Sequence, residues 1–242
     1  MGATLVLLWN SVGWWLALLP AGVLGWVLLR HVLPTLLARF NGAALRLAPP
    51  PGTALPTAGP LDAGQRTAWE ALASWCHAGT GDGRRPWWRP GALPRVDQRL
   101  TVALLQGGSN ERHLALAEAF SRELDGSHLL STAGGRWAGL WLRLRVKRDD
   151  VQWWRTRQPA DPWDCGYLAG DPAGREALRH FRPRRATLVV AAGLPPEVVR
   201  EALLWLGAHQ HGFAHPVRLL WLEPSGKAES TDHATVIRLG PG

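Results

Sequence analysis

The first thirty residues hold the feature that most restricts the fold, an apolar run without a single charge. From Thr4 to Leu29 the sequence contains no Asp, Glu, Lys or Arg and is dense in Leu, Val, Ala and Trp. About 20 apolar residues suffice to cross the hydrocarbon core of a bilayer. The run therefore predicts one transmembrane helix, in which Pro20 introduces a kink.

A cleaved signal peptide is the alternative interpretation of this run, and the flanking charges disfavour it. A signal peptide carries a basic residue ahead of a shorter apolar stretch, whereas the first basic residue here is Arg30, after the run. Arg30, Arg39 and Arg46 all lie in the window to which the positive-inside rule applies. We therefore expect a single-pass protein of a bacterial inner membrane, with the residues after the span on the cytoplasmic side.

The charge and the cysteine content agree with this location. The net charge of +8 comes almost wholly from arginine, since Lys147 and Lys227 are the only lysines. An anionic leaflet attracts a basic domain, so the lipid bilayer accounts for the charge without nucleic acid. Cys76 and Cys165 are too few for a disulfide framework. We predict that both are free thiols.

The chain divides into three parts. Residues 1–47 comprise the transmembrane helix and a juxtamembrane segment, in which Val32–Leu47 is predicted to continue as an amphipathic helix. Residues 48–63 form a proline-rich linker, because proline removes backbone donors and clashes with a preceding helical turn. Residues 64–242 form one domain.

Helix and strand patterns alternate within residues 64–242. Apolar residues at helical spacing predict helices at Gln65–Cys76, Glu111–Leu124 and Glu197–His209. Short apolar or alternating runs predict five strands, Leu100–Gln106, Leu140–Val146, Thr187–Ala192, Val217–Leu222 and Ala234–Leu239. This alternation predicts an α/β fold, with a parallel sheet of about five strands flanked by helices.

A glycine-rich turn joins the first of these strands to the helix that follows it. The turn and the helix start read Gly107-Gly-Ser-Asn-Glu-Arg-His-Leu-Ala-Leu-Ala117. A strand, a glycine turn and a helix N-terminus form an arrangement that binds phosphate, because backbone N–H groups and the positive helix end point at the anion. The candidate nucleotide-contacting residues are Gly107, Gly108, Ser109, Asn110 and His113.

This turn resembles the phosphate loop of the signal-transduction ATPases with numerous domains, a branch of the AAA-like P-loop NTPases. A working loop in that family reads roughly GGSGSGKTTLA. The order of elements is similar over residues 65–240, where QRTAWEALASWC resembles the helix before the ATPase core and REALRHFRPRRATLVVAAG resembles the segment leading into the acidic strand. The resemblance implies a P-loop NTPase-like domain.

The polar positions that carry catalysis in that family differ in this chain. Arg112 stands at the last loop glycine, His113 at the lysine and Leu114 at the Ser/Thr position, while Ala191 and Ala192 stand at the acidic strand end. In the family the lysine reaches the terminal phosphates, and the hydroxyl and the carboxylates serve the metal and the attacking water. We therefore expect no ATP hydrolysis and no cofactor, and a turn in which Ser109 or Asn110 caps the helix.

Three functions are compatible with this pattern. The preferred one is a membrane-anchored, catalytically inactive P-loop NTPase-like domain that acts as a partner-binding, scaffolding or regulatory module, with an active NTPase relative or a second copy of the chain as partner. The second is a nucleotide-binding switch or weak ATPase with an unusual phosphate loop. The third is a membrane-tethered nucleic-acid binder, because arginines and tryptophans interleave between Arg136 and Arg157.

Two further polar clusters are interpreted as structural. Three histidines lie close together after a predicted helix, His209, His211 and His215. Imidazole is a common zinc ligand, but no Cys or carboxylate nearby in sequence completes a set, so we predict no metal site. Three aspartates lie in a proline-rich stretch that we predict to be a loop, Asp161, Asp164 and Asp171. Capping and turn formation account for such aspartates.

Overall fold

The computed structural model describes residues 22–32, 40–49, 61–78, 99–128, 161–213, 215–222 and 234–239, and the chain separates into two compact units. Residues 1–39 and 140–155 belong to the first unit and the remaining residues to the second. In the first unit, residues 22–32 are helical and end in a π-helical turn, Leu28–Val32.

The predicted transmembrane helix falls largely outside these ranges. Residues 4–21, most of the predicted span, lie outside the described residues. No helix within the described ranges is both long enough and apolar enough to cross a membrane.

A six-stranded sheet forms the centre of the second unit. In chain order the strands are β1 (Leu45–Arg46), β2 (Leu100–Gln106), β3 (Asp164–Leu168), β4 (Thr187–Ala191), β5 (Val217–Leu222) and β6 (Ala234–Arg238). Their spatial order is β1-β3-β4-β5-β2-β6. Every neighbouring pair is parallel except β1 and β3, which are antiparallel. The predicted α/β class is confirmed. The sheet has six strands instead of about five, and the antiparallel pairing of β1 makes it mostly, not wholly, parallel.

Helices cover both faces of this sheet. They are α1 (Ala63–His77), α2 (Asn110–Leu124), α3 (Pro172–Arg179) and α4 (Pro196–His209). Buried side chains of α1 and α2, such as Leu72 and Phe120, pack in one apolar cluster, whereas Leu178 of α3 and Leu206 of α4 pack in a second. The predicted helices at α1, α2 and α4 are confirmed, with their starts shifted by one or two residues.

β2 contributes to the first cluster together with the strands on either side of it. Leu105 of β2 lies opposite Leu222 of β5 and Ile237 of β6 in the sheet. All three side chains are buried in the cluster that α1 and α2 cover. Burial on both faces explains why this strand is a continuous apolar run in the sequence.

β3 corrects our prediction of a loop around Asp164. All five residues of β3 are buried, although the sequence DCGYL begins with an acid and contains a glycine. The cost of burying the Asp164 carboxylate is offset because the Arg184 guanidinium donates to both of its oxygens, at 2.7 and 2.9 Å. Arg184 is twenty residues away, so the strand depends on a tertiary contact that local propensity does not reveal.

β1 corrects a second prediction, the helix over Val32–Leu47. Leu45 and Arg46 pair with the end of β3 instead of continuing a helix. The pairing is close because Gly166 lacks a side chain: a Cβ on it would lie 3.0 Å from the Leu45 Cβ. The predicted strand 140–146 and the proline-rich residues 50–60 lie outside the described residues.

A buried arginine joins α1 to the sheet. Arg218 of β5 has no exposed surface, and its Nε and Nη2 donate to the carbonyl oxygens of Cys76 and Ala78, at 3.2 and 2.7 Å. These carbonyls end α1, where the last C=O groups have no helical partner and the dipole favours a cation. Arg218 therefore caps α1 from within the core.

We expect Arg218→Met to reduce the free energy of unfolding of the full chain by about 1–3 kcal/mol, because buried carbonyls would lose their donors. Urea unfolding followed by tryptophan fluorescence measures the change. The matched control is Arg238→Met at an exposed position of β6, which should alter stability by less than about 0.5 kcal/mol. Equal effects of the two substitutions would contradict a capping role for Arg218.

Candidate functional site

At the carboxyl end of β2, the helices that follow the strands change from one face of the sheet to the other. β2 leads into α2 on one face, whereas β3 and β4 lead into α3 and α4 on the other face. In the sheet, β2 lies next to β5, the last of the three strands β3, β4 and β5 that α3 and α4 connect. In open α/β sheets, ligands bind outside the carboxyl ends of the strands at such a reversal. Gly107 and Gly108 occupy this position.

The backbone conformation of the turn requires glycine at positions 107 and 108. Gly107 and Gly108 have positive φ angles of 86° and 83°, which glycine adopts without steric cost. A Cβ on Gly107 would lie 2.7 Å from the carbonyl oxygen of Leu239. The N–H of Leu239 donates to the carbonyl oxygen of Gln106 at 2.7 Å, and this hydrogen bond keeps Leu239 close to Gly107. The packing of the chain after β6 therefore accounts for Gly107 without a ligand.

Ser109 is the N-cap residue of α2. Its Oγ accepts a hydrogen bond from the N–H of Arg112 at 3.4 Å, and its φ and ψ of −87° and 155° are the extended values usual for this position. Asn110 is the first residue of the helix and is exposed. Of the two capping candidates from the sequence, the structure places Ser109 in that role.

Arg112 folds back over the turn and binds another helix. Its Nη1 lies 3.6 Å from where a Cβ of Gly108 would be, and its Nη2 donates to Oδ2 of Asp62. Asp62 is the N-cap of α1, and its Oδ1 accepts from the N–H of Gln65 at 2.8 Å. The hydrogen bond from Gln65 and the pairing with Arg112 hold the pKa of Asp62 below its usual value.

His113 points into the turn. The residue is buried, and its Nε2–H donates to the carbonyl oxygen of Gly107. Its Nδ1 has no hydrogen-bond partner among the described residues. Burial lowers the pKa of His113, with a smaller contribution from the Arg112 charge, and together these outweigh the hydrogen bond to Gly107, which raises it. His113 is therefore a neutral donor at neutral pH, bound to its own chain.

The other positions that align with catalytic polar residues of the P-loop NTPases carry hydrocarbon side chains, which pack in the interior. Leu114 is buried in the cluster beneath α1 and α2. Ala191 ends β4 and Ala192 follows it, and both are buried. The structure thus places Gly107, Gly108, Ser109, Asn110 and His113 together at this turn and the start of α2.

Sequence reasoning missed Asp62. The pattern Asp62-x-x-Gln65 is a capping-box signal, and both of its reciprocal hydrogen bonds are present. That signal could have located the start of α1. The ion pair with Arg112, fifty residues along the chain, leaves no local trace in the sequence.

The histidine cluster lies at the opposite, amino-terminal edge of the sheet, just before β5. Arg99 Nη1 donates to the carbonyl oxygens of His211 and Phe213, at 2.8 and 2.5 Å. His209 Nδ1 donates to the Trp205 carbonyl at 2.9 Å. Within the described ranges, no group of three His, Cys, Asp or Glu side chains is placed to hold a metal ion.

The aspartate stretch forms structural contacts. Asp171 is the N-cap residue of α3, and its carboxylate pairs with Arg46 of β1 at 2.9 Å. Tyr167 donates to Glu118 of α2 at 2.8 Å, and burial raises the pKa of Tyr167 well above its usual value. The arginines and tryptophans between residues 136 and 157, our candidate nucleic-acid surface, lie outside the described residues.

We expect His113→Gln to flatten the dependence of stability on pH. The unfolded chain binds a proton at the ordinary histidine pKa of 6.5 and the folded chain at a lower pKa. The contribution of neutral His113 to the free energy of unfolding is therefore fully present above about pH 6.5. This contribution is lost as the pH falls through the pKa of His113 in the folded chain, at a rate of at most about 1.4 kcal/mol per pH unit. Glutamine keeps an amide donor for Gly107 and does not titrate.

Urea unfolding of the full chain between pH 7.5 and 5 measures this slope. His77, whose pKa burial also lowers, provides the comparison, and the double variant His77→Gln/His113→Gln should show the smallest slope. A wild-type slope retained in His113→Gln would show that His113 is not the titrating group.

No protein-family model, curated protein or solved structure matches this chain. The similarity to the P-loop NTPases therefore depends on the glycine turn and the order of the elements. The mostly parallel sheet, flanked by helices and with the glycine turn after an interior strand, is compatible with a P-loop-like fold.

Proposed function

We propose that this chain is a membrane-anchored P-loop NTPase-like domain that does not hydrolyse ATP and acts as a partner-binding, scaffolding or regulatory module. One observation carries the proposal. The polar side chains at the aligned end of the loop, Arg112 and His113, both bind the chain itself, at Asp62 and Gly107. A phosphate loop that turns over nucleotide keeps its cation available for the ligand.

The chemistry of phosphoryl transfer supports the same conclusion. Transfer requires a cation at the terminal phosphates, a metal held by a hydroxyl and a carboxylate, and an oriented nucleophile. His113 is neutral and buried, while Leu114, Ala191 and Ala192 offer only hydrocarbon at the other aligned positions. The α/β body remains intact, so the domain is suited to present a surface to a protein partner.

The described end of the predicted span supports the membrane anchor. Between residues 22 and 32 several large apolar side chains are exposed, namely Val23, Leu24, Trp26, Leu28 and Leu29. The Arg30 guanidinium lies over the Trp26 ring, 6.0 Å from its centroid. A tryptophan beside an arginine at the end of an apolar run is typical of the boundary between lipid and water.

We expect the melting temperature of the full chain in detergent micelles to be unaffected by Mg-ATP up to millimolar concentration, and we expect no release of phosphate. A ligand that binds the folded state raises the melting temperature. The variant Arg112→Gly/His113→Lys restores two loop positions and should gain a response to ATP. The exposed substitution Arg66→Gly is not at the turn and should gain none.

The alternatives make opposite predictions for the wild type. A saturable rise with ATP that His113→Ala abolishes would replace the proposal with a nucleotide-binding switch. Affinity for DNA or RNA that falls steeply with salt would indicate a membrane-tethered nucleic-acid binder. Crosslinking in membranes distinguishes a second copy of the chain from an active NTPase relative as the partner.

We expect the chain to remain in the membrane fraction after an alkaline carbonate wash. The double variant Leu16→Asp/Leu19→Asp should be released, because each acidic residue near the centre of a span costs roughly 2.5–3.5 kcal/mol. Leu204→Asp, at an exposed position of α4, is the matched control and should stay in the membrane. Release of the wild type by the wash would contradict the anchor.

A further inference from the structure

β6 is the outermost strand at one edge of the sheet. Among the described residues, only β2 pairs with it, and no strand lies on its other side. An edge strand presents unpaired backbone N–H and C=O groups, which can pair with a strand of another chain. We propose that two copies of this chain pair through β6, as antiparallel strands related by a two-fold axis at Val236. The second copy is then the partner in the function proposed above, on which the inference rests.

The direction of the backbone groups determines which residues of β6 are available for pairing. The N–H of Leu239, just after β6, donates to the carbonyl oxygen of Gln106 in β2. The backbone groups of successive residues in a strand point to opposite sides, so the odd-numbered residues direct theirs toward β2. The N–H and C=O groups of Ala234, Val236 and Arg238 therefore point away from β2, toward the open side of the strand.

These three residues are compatible with an antiparallel partner when the two-fold axis lies at Val236. Val236 then lies opposite Val236 of the second copy, and Ala234 lies opposite Arg238 of the second copy. Both are hydrogen-bonded positions, at which each residue donates its N–H and accepts at its C=O. Like charges directly opposite each other destabilise a strand pair. This register avoids them, because each arginine faces an alanine.

An apolar row on the face that α3 and α4 cover ends at Val236. Trp221 of β5, Leu104 of β2 and Val236 lie opposite one another across three strands, and the first two belong to the cluster beneath α3 and α4. The exposed fraction is 6% for Trp221 and 1% for Leu104, but 42% for Val236. Removing apolar surface from water is favourable. A second β6 would continue the row, because it places another valine beside Val236 on the same face.

The two edges of the sheet differ in their capacity to pair. β1, at the other edge, has only two residues, and very short edge strands are one way in which proteins prevent edge-to-edge association. β6 has five residues, ATVIR, without proline or glycine and with its one charge at the end. Threonine, valine and isoleucine are enriched in strands. β6 is therefore the edge that is suited to pairing.

The membrane anchor of the proposed function favours a second copy as the occupant. One pair of five-residue strands is a small contact compared with the roughly 1,200–2,000 Å² of a stable interface in solution. Copies that are anchored in the same membrane are held close together, which raises their effective concentration and allows a weaker contact to form. A two-fold pair also uses the same edge on both copies, so it closes without growing into a filament.

Cysteine crosslinking of the full chain in membranes tests this register. Val236→Cys places two thiols on opposed residues whose Cα atoms are about 5.5 Å apart, within the range of about 4.4–6.8 Å that a disulfide requires. The matched control is Arg238→Cys, at an exposed position on the same face of the same strand. In the proposed register the two copies of residue 238 are about 14 Å apart, too far for a disulfide.

We expect mild oxidation by copper phenanthroline and oxygen to convert roughly tenfold more of the Val236→Cys protein than of the Arg238→Cys protein into dimer. Cys76 and Cys165 are both buried, so the wild type should not crosslink. Equal crosslinking of the two variants, or none of Val236→Cys, would overturn the proposal. Crosslinking of Val236→Cys to a different protein instead would also overturn it and would identify another chain as the occupant.

Two variants expressed together test the two-fold arrangement. Ala234→Cys in one copy faces Arg238→Cys in the other across the axis, so the mixture should crosslink although neither variant does so alone. A mixture that crosslinks no more than its components would contradict the two-fold axis at Val236.

Charged substitutions provide a measurement that does not depend on thiol reactivity. Val236→Lys and Val236→Glu each place like charges opposite each other, so each should abolish copurification of two differently tagged copies from detergent. Coexpression of the two variants should restore it, and Val236→Thr, which keeps the branched shape, should retain it. Copurification that Val236→Lys leaves unchanged would overturn the pairing. Failure of the proposed function would be seen separately, as ATP hydrolysis or an ATP-dependent melting temperature in the wild type.

Discussion

The pairing of β2 with a parallel strand on each side is the constraint on which the candidate site depends. β5 and β6 hold β2 along its length, so the backbone leaves the sheet at a fixed point, and α2 must begin within a few residues. Leu239, just after β6, then approaches Gly107 so closely that only glycine fits. The shape of the turn is therefore a consequence of sheet packing before any ligand is considered.

Three side chains at the turn have partners within the chain. Ser109 caps α2, Arg112 binds Asp62, and His113 binds Gly107. In the first of these contacts, the Ser109 hydroxyl accepts from a backbone N–H at the start of α2, the type of donor that binds phosphate at a helix N-terminus. Contacts within the chain therefore hold the strand, the glycine turn and the helix in this arrangement.

Asp164 and Arg218, the buried charged side chains among the described residues of the second unit, both have partners within the fold. Arg218 lies inside the sheet because the last carbonyls of α1 accept its hydrogen bonds. Asp164 begins β3 because Arg184 binds both of its carboxylate oxygens. Burying a charge without such partners is prohibitive, whereas a well-paired one is tolerated. These contacts connect helices and strands that are far apart in the chain.

Local pattern in the sequence determined the α/β class, the positions of α1, α2 and α4, and the place of the glycine turn, because helical spacing and short apolar runs record which faces are buried. Tertiary structure alone decided that residues 164–168 form a strand and that Arg218 is internal. The strand depends on the Asp164–Arg184 ion pair, and the burial of Arg218 depends on hydrogen bonds to the carbonyl oxygens of Cys76 and Ala78, which are far away in the sequence. The same holds at the site. Ser109 and His113 could be named from the turn, but Asp62 could not, because its partner Arg112 is brought near only when α1 and α2 pack on the same face of the sheet.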